Sequence, residues 1–305
     1  MEPFRASPPA SISLSRSAAT SSPTGTISGE FGVWSYGEGG VDYIDNSGLI
    51  ASQAAYIAID LQGQASTPGV VNTVTNTGAI HGGLYAGATA AVEIDNTGSW
   101  LAQSIASGLE IVAAGSALTN AGVIDSWVKV YAADFTLVNS GSLTGAVTLG
   151  SVATKSAITN DNEIYGDVTL SVDSTLTNTG AIHGTVALGA GDKLYLGGGT
   201  ITGAITASAG GGTITGAIAA SSRGGDEFIY SGGWGHETID RFIGGTGSTH
   251  DVIQFNADEF SSLAAVQAAM EQEGSDVLIK LDAADTIVLA GVKLSSLFRA
   301  DFKFV

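Results

Sequence analysis

From about Thr24 onward, apolar residues recur at fixed distances from a single Asn. One stands two residues before it, and others follow four, eight and ten residues after it. Leu176, Ile182, Val186 and Leu188 show the spacing around Asn178, and Ile158, Ile164, Val168 and Leu170 repeat it around Asn160. Every offset is even, and even offsets fall on one face of extended chain, so each unit predicts short strands that turn the same side inward. The units centre on Asn46, Asn76, Asn96, Asn120, Asn139, Asn160 and Asn178, at spacings of 30, 20, 24, 19, 21 and 18 residues. Such a period is one coil of a parallel β-helix. No coil can bury its apolar row alone; stacking at the ~4.8 Å spacing of strands makes one continuous core.

The polar positions of the unit have structural work in this fold. Stacked in register, each Asn amide can donate to one neighbour and accept from the other. The Gly two residues after the Asn is expected to supply a positive φ at a sharp corner, with Asn162 as the substitute in the Asn160 unit. Trp100 occupies an inward slot and is expected in the core, whereas Lys129 alternates with Val128 and Val130 and is expected outside. The widest spacing leaves room for a loop at Gly63–Val71, a place where solenoids carry binding residues. GGGTITGAI then occurs at Gly197–Ile205 and again at Gly210–Ile218, where the coils shorten.

Residues on either side differ in pattern. Residues 1–23 hold four of the five Pro, many Ser and no apolar periodicity, which predicts a disordered tail. Residues 24–220 carry the solenoid repeats. Beyond them, Asp258–Glu273 has the spacing of an amphipathic helix, with Phe260, Leu263, Val266 and Met270 on one face. DVLIKL at Asp276–Leu281 and DTIVLAGV at Asp285–Val292 predict a hairpin.

Composition narrows the function classes. Acidic residues number 29 against 11 basic ones, a net charge of −18. That surface repels nucleic acid and anionic lipid and attracts divalent cations. With no Cys, thiol catalysis, disulfides and thiolate-bound zinc are excluded. No apolar run approaches a membrane span or a signal-peptide core, so membrane insertion is not expected and export needs another address.

That address is suggested by Ser221–Phe242. Gly232–Asp240, GGWGHETID, fits the nine-residue G-G-x-G-x-D-x-U-x template with Glu237 in the Asp slot, and Asp226 and Phe228 fill the acidic and apolar slots eleven residues earlier. The stretch resembles the hemolysin-type calcium-binding (RTX) family of bacterial secreted proteins. Its continuation to Val305 is similar to the region after the protease domain of serralysin-like metalloproteases. The resemblance implies a calcium β-roll over residues 221–305 with a small cap of one helix and a hairpin. It also implies calcium bound through Gly224, Asp226, Gly233, Gly235, Glu237 and Asp240, and export by an ABC-type (type I) secretion apparatus. Calcium takes several hard oxygen ligands, which a glycine loop ending in a carboxylate offers. The solenoid units resemble autotransporter and filamentous-adhesin passengers, which implies an adhesion or surface role with cell-surface or matrix polysaccharide or protein as partner.

Catalysis has fewer candidates. No HExxH occurs, so the zinc protease activity of serralysin-like proteins is not implied. His81 and His183 share a slot that is Asp125, Thr144 or Tyr165 elsewhere, a tolerance expected of a solvent-facing position. A polysaccharide lyase or hydrolase is the alternative, with Asp95, Asp125 and Asp161 as candidate acids and Lys129 as candidate base. The expected protein is therefore all-β: a parallel β-helix, a calcium β-roll and a cap, secreted, with a non-catalytic surface role or, alternatively, carbohydrate-active.

Overall fold

The even apolar spacing becomes three short strands per coil. In the computed structural model the described residues are 12–14, 19–21, 25–29, 32–35, 41–52, 57–62, 69–87, 90–102, 107–196, 199–203, 205–207, 213–215, 227–230, 236–240, 242–247, 250–283 and 285–305. The expected loop at 63–71 lies mostly outside them. The protein is an all-β parallel β-solenoid, and it divides into two compact units, residues 1–136 with 140–145, and 137–139 with 146–305.

In the first unit each coil contributes one strand to each of three parallel sheets. The sheet that ends on the repeat Asn contains Asp42–Asn46, Val71–Asn76, Ala91–Asn96 and Ala117–Asn120, with Asn aligned on Asn throughout. The second sheet contains Leu49–Ser52, Ala79–His81, Ser99–Leu101 and Val123–Asp125. The third contains Val33–Ser35, Ile57–Leu61, Gly83–Ala86, Leu109–Ile111 and Val128–Val130. Strands Ile12–Leu14 and Ala19–Ser21 pair with Val33–Ser35 and Asp42–Ile44, so the chain is already extended within the first 23 residues.

Inward residues stack by type. Ile44, Val74, Ile94 and Leu118 form one buried row, and Ile50, Ile80, Trp100 and Ile124 another. Burying each of these larger side chains contributes roughly 1.5–3 kcal/mol. Trp100 is in the core as expected, and its indole Nε1–H donates to Gly82 O at 2.9 Å, so the buried polar edge is satisfied.

The Asn residues form amide ladders. In the first unit Asn46 Nδ2 donates to Asn76 Oδ1 at 2.7 Å, Asn76 to Asn96 at 2.7 Å and Asn96 to Asn120 at 2.8 Å. In the second, Asn139 donates to Asn160 and Asn160 to Asn178, both at 2.8 Å. The same amides also donate to a carbonyl of the next coil, such as Ala79 O from Asn46 at 3.0 Å. A second buried polar column runs four residues before the Asn. Asp42 N–H donates to Asn72 Oδ1, Ser156 N–H to Ser174 Oγ and Ser174 N–H to Asp192 Oδ1.

The glycine after the Asn acts differently from the expectation. None of Gly48, Gly78, Gly98, Gly122, Gly141 and Gly180 has a positive φ, nor does Asn162. What these glycines provide is closeness: a Cβ at Gly98 would lie 2.1 Å from Gly78 O, and one at Gly122 2.1 Å from Gly98 O. The left-handed corner sits five residues before the Asn slot, at Gly115 (φ 72°), Asp134 (59°), Lys155 (56°), Asp173 (58°) and Gly191 (71°).

The second unit repeats the coil with Ala157–Asn160, Thr175–Asn178, Lys193–Leu196 and Thr213–Thr215 on the Asn side. Its third sheet runs on through Val186–Leu188, Ile205–Ala207, Glu227–Tyr230, Val252–Phe255 and the terminal Phe302–Phe304. Phe255 stacks with Tyr230 (centroids 6.1 Å) and meets Phe260 edge-on (4.8 Å). A separate four-stranded sheet holds His236–Asp240 parallel to Thr286–Ala290, followed by Asp276–Lys280 and Met270–Glu273 in antiparallel order. The expected hairpin is present. The expected helix is shorter: it spans Leu263–Ala268, opened by Ser262 Oγ accepting from Ala265 N–H. Met270–Glu273 is instead a strand, because Gly274 (φ 63°) turns it back onto Asp276–Lys280.

Candidate functional site

Along the third sheet of the first unit, the middle residue of each strand projects outward between two buried apolar neighbours. In register these residues are Trp34, Asp60, Tyr85, Glu110 and Lys129. Consecutive members are separated by about 4.8 Å of strand spacing. Lys129 is outside, as its alternation with Val128 and Val130 predicted.

Asp60 is the unusual member. It faces outward by alternation, since Ile59 and Leu61 are core, yet it is only 3% exposed. Its Oδ2 accepts from Gln62 Nε2 at 2.9 Å, while among the described residues its buried Oδ1 has no hydrogen-bond donor. Burial raises the Asp60 carboxyl above its ordinary value, and the Gln62 amide opposes that shift. A buried acceptor without a donor costs about 1–3 kcal/mol, so the site carries an unmet demand for a hydroxyl or amide.

Two rings of this face lie down on glycine. A Cβ at Gly87 would come within 2.3 Å of Tyr85 Cε1, and one at Gly108 within 2.2 Å of Trp127 Cδ2. The Tyr85 ring therefore lies over Gly87, and the Trp127 indole over Gly108. Lys129 Nζ is 4.5 Å from the Trp127 ring centroid and closes that end of the column. Trp34, 38% exposed, stands at the other end.

The acids singled out from sequence for catalysis are not brought together. Asp95 lies on the Asn sheet, in register with Thr75 and Thr119. Asp125 lies on the second sheet, where Thr144 Oγ1 donates to it. Asp161 accepts from Thr179 Oγ1 at 2.7 Å in the second unit. Lys129 shares its sheet with none of them. His81 stands between Ala51 and Leu101 in register. His183 is exposed, with Nε2 2.6 Å from Glu163 Oε2 and its ring stacked on Tyr165 at 4.7 Å. An exposed pair of this kind is worth little.

Of the residues expected to hold calcium, Gly224, Asp226, Gly233 and Gly235 lie outside the described residues. Glu237 and Asp240 lie on the strand His236–Asp240, paired with Ile287 and Ala290. Among the described residues no group of three His, Asp or Glu side chains is arranged to hold a metal ion. Nor is any described helix long and apolar enough to cross a membrane.

Two buried carboxylates organise the C-terminal part of the second unit. Asp251 Oδ2 accepts from Ile243 N–H at 2.8 Å. Asp301 accepts from Gly245 N–H at 2.8 Å and Phe298 N–H at 2.7 Å. The His250 ring lies between two carbonyl oxygens, with Nδ1 beside Gly247 O and Nε2 3.1 Å from Ala300 O. Both ring nitrogens must donate there, which raises the His250 pKa; the hydrogen bond to Gly247 is the largest cause, and the Asp301 and Asp251 charges add to it. All of these contacts are internal to the fold.

Asp60, Tyr85 and Glu110 were not singled out from sequence, where Trp34, Trp100, Trp127 and Trp234 read as too scattered for an aromatic sugar platform. The signal available was the middle position of the third strand, where V-W-S, I-D-L, L-Y-A, L-E-I and V-K-V align. Comparison with models of known protein families, with characterised proteins and with solved structures finds no match.

Proposed function

We propose that this solenoid is a secreted, non-catalytic binding protein with an adhesion or surface-coating role, which engages its partner through the outer face of the third sheet in the first unit. The observation that carries the reading is the outward column Trp34, Asp60, Tyr85, Glu110 and Lys129, in which one buried carboxylate oxygen has no donor among the described residues. Binding is favoured over catalysis because Asp95, Asp125 and Asp161, the candidate acids, occupy separate places.

Two further parts of the reading rest on the resemblance of Ser221–Phe242 and the region after it to calcium-binding secreted proteins. Calcium acts as a local clamp held by Asp226, Glu237 and Asp240 with carbonyls near Gly224, Gly233 and Gly235. The C-terminal residues act as the address for a type I exporter.

Labelled full-length protein should bind intact cells or matrix polysaccharide, and the triple variant Trp34→Ala/Tyr85→Ala/Glu110→Gln should lose that binding. Substrate turnover by the wild type that the triple variant abolishes would overturn the non-catalytic reading in favour of a hydrolase or lyase. In the same preparation, millimolar calcium should raise the melting temperature by mass action, and an unchanged melt would end the calcium part.

A further inference from the structure

Resting on the binding reading above, we propose that the ligand is a neutral, hydroxyl-rich linear polysaccharide that crosses the strands along the solenoid, one disaccharide repeat for every two coils.

The period comes from the column itself. Trp34 and Tyr85 belong to alternate coils in register, with Asp60 in the coil between them and Glu110 in the coil after Tyr85; the Trp127 indole, two residues before Lys129, lies over Gly108 of the Glu110 coil beside the column. The Trp34 and Tyr85 positions are therefore about 9.6 Å apart along the stack, twice the strand spacing. That is the length scale of a disaccharide in an extended chain. Sugar rings offer an apolar C–H face for stacking and hydroxyls at their edges, so one polymer can meet aromatic and carboxylate residues in turn.

The ring geometry suits this use. Tyr85 and Trp127 lie over Gly87 and Gly108, where any Cβ would collide with the ring. A ring lying on the sheet presents its face to whatever passes above it. Lys129 rests on Trp127 by a flexible stem, and its ammonium can move aside to donate to a hydroxyl.

Asp60 gives the chemistry of the partner. Its Oδ1 is buried between positions 34 and 85 and, among the described residues, lacks a donor, so the group that completes it carries an O–H or N–H. That oxygen is covered in the free protein, so a ligand hydroxyl reaches it by displacing the side chains above it. A metal ion is a poorer fit, since no metal-holding group of three exists among the described residues. Nor does an extended peptide suit: the column lies on a sheet face, where strand backbone is already paired, whereas peptide addition uses an open edge. Acidic polysaccharides are disfavoured by Asp60, Glu110 and the net charge of −18.

The test uses full-length protein and isothermal titration calorimetry. The probes are β-1,4-linked gluco-, manno- and xylo-oligosaccharides of increasing length, with polygalacturonate as the charged comparison. At least one neutral series should bind, with affinity rising in steps of two sugars. Trp34→Ala and Tyr85→Ala should each weaken it about tenfold. Asp60→Ala should weaken binding without lowering the melting temperature, because it removes an unpaired acceptor. Tyr195→Ala, on the Asn sheet of the second unit, should change nothing. Tighter binding to polygalacturonate, or neutral-sugar binding that survives Trp34→Ala/Tyr85→Ala, overturns the proposal. If no neutral series binds while the protein still attaches to cells through this face, the sugar assignment fails and the binding reading stands. Loss of cell attachment as well removes both.

Discussion

Replacing Asn96 by Ala tests how much the amide ladder contributes. Asn96 is an interior rung: its Oδ1 accepts from Asn76 Nδ2 at 2.7 Å, and its Nδ2 donates to Asn120 Oδ1 at 2.8 Å, Val123 O at 3.3 Å and, at the long limit, Gly98 O at 3.4 Å. All of these bonds vanish in Asn96→Ala, and two buried amides lose a partner. Each is worth a net ~0.5–1.5 kcal/mol, and stranding a buried partner costs ~1–3 kcal/mol, so a loss of about 2–4 kcal/mol is expected. Asn46 is a terminal rung with one ladder bond, to Asn76 Oδ1 at 2.7 Å; its Nδ2 also donates to Ala79 O at 3.0 Å and Gly48 O at 3.4 Å, and its Oδ1 accepts from Gly48 N–H at 3.2 Å. Asn46→Ala strands one buried amide instead of two, so it should cost less than Asn96→Ala, by ~1 kcal/mol.

The assay must respect the architecture. Repeat proteins unfold by nearest-neighbour terms, so a single midpoint can conceal local opening. Urea denaturation followed by circular dichroism gives the global loss, and amide hydrogen exchange in Val71–Asn76, Ala91–Asn96 and Ala117–Asn120 locates it. The double variant Asn76→Leu/Asn96→Leu removes both ends of one bond and should cost less than the sum of the single changes, with a coupling of ~1 kcal/mol or more. If Asn96→Ala costs no more than Asn46→Ala, or less than ~1 kcal/mol, the ladder sets register without stabilising the core and the reasoning fails.

Two further outcomes check other parts of the fold. Gly122→Ala should be strongly destabilising, because the new Cβ would meet Gly98 O and the Thr97 backbone at 2.1–2.8 Å; Gly115→Ala should cost only ~1–2 kcal/mol for its positive φ; and Gly25→Ala, with open space, should be near neutral, all read from denaturation midpoints. His250 has a folded pKa raised above its ordinary 6.5, so its contribution is fully present below the unfolded value and is lost as pH rises through the folded one. Melting temperature should fall across that window in the wild type and not in His250→Gln. Asp301, raised by burial from 3.8, loses its contribution in the same direction but in a more acidic window, which keeps the two steps apart.

How much of this was legible depends on which positions the physics holds constant. Asn recurs because its amide makes the ladder, and Gly recurs two residues on because a Cβ there would meet the neighbouring coil's backbone, with Asn162 the one substitute, so both are visible in the sequence. The left-handed corner was misplaced for the opposite reason. A non-Gly residue pays only ~1–2 kcal/mol there, so Gly115, Asp134, Lys155, Asp173 and Gly191 share a conformation without sharing an identity. The helix was overextended because the apolar spacing of Phe260 to Met270 fits both a helix and the entry to a strand, and Gly274 decides between them.

The outward column of the third sheet was hidden by an irregularity in coil length. Asp60 and Glu110 each lie fourteen residues after their Asn, whereas Tyr85 and Lys129 lie nine after theirs. An alignment on Asn therefore scatters the column over two offsets, and only strand pairing reunites it. The extra five residues fall between the second and third strands of alternate coils, after Ser52 and after Leu101. Over the Asn46, Asn76, Asn96 and Asn120 coils, coil length and outward residue alternate together, with the long coils carrying Asp60 and Glu110 and the short ones Tyr85 and Lys129. A core that needed only stacking would be served by equal coils, since every inward row is satisfied at a one-coil repeat. The two-coil alternation concerns the outer face alone, which is why it points to a ligand whose own repeat spans two strands.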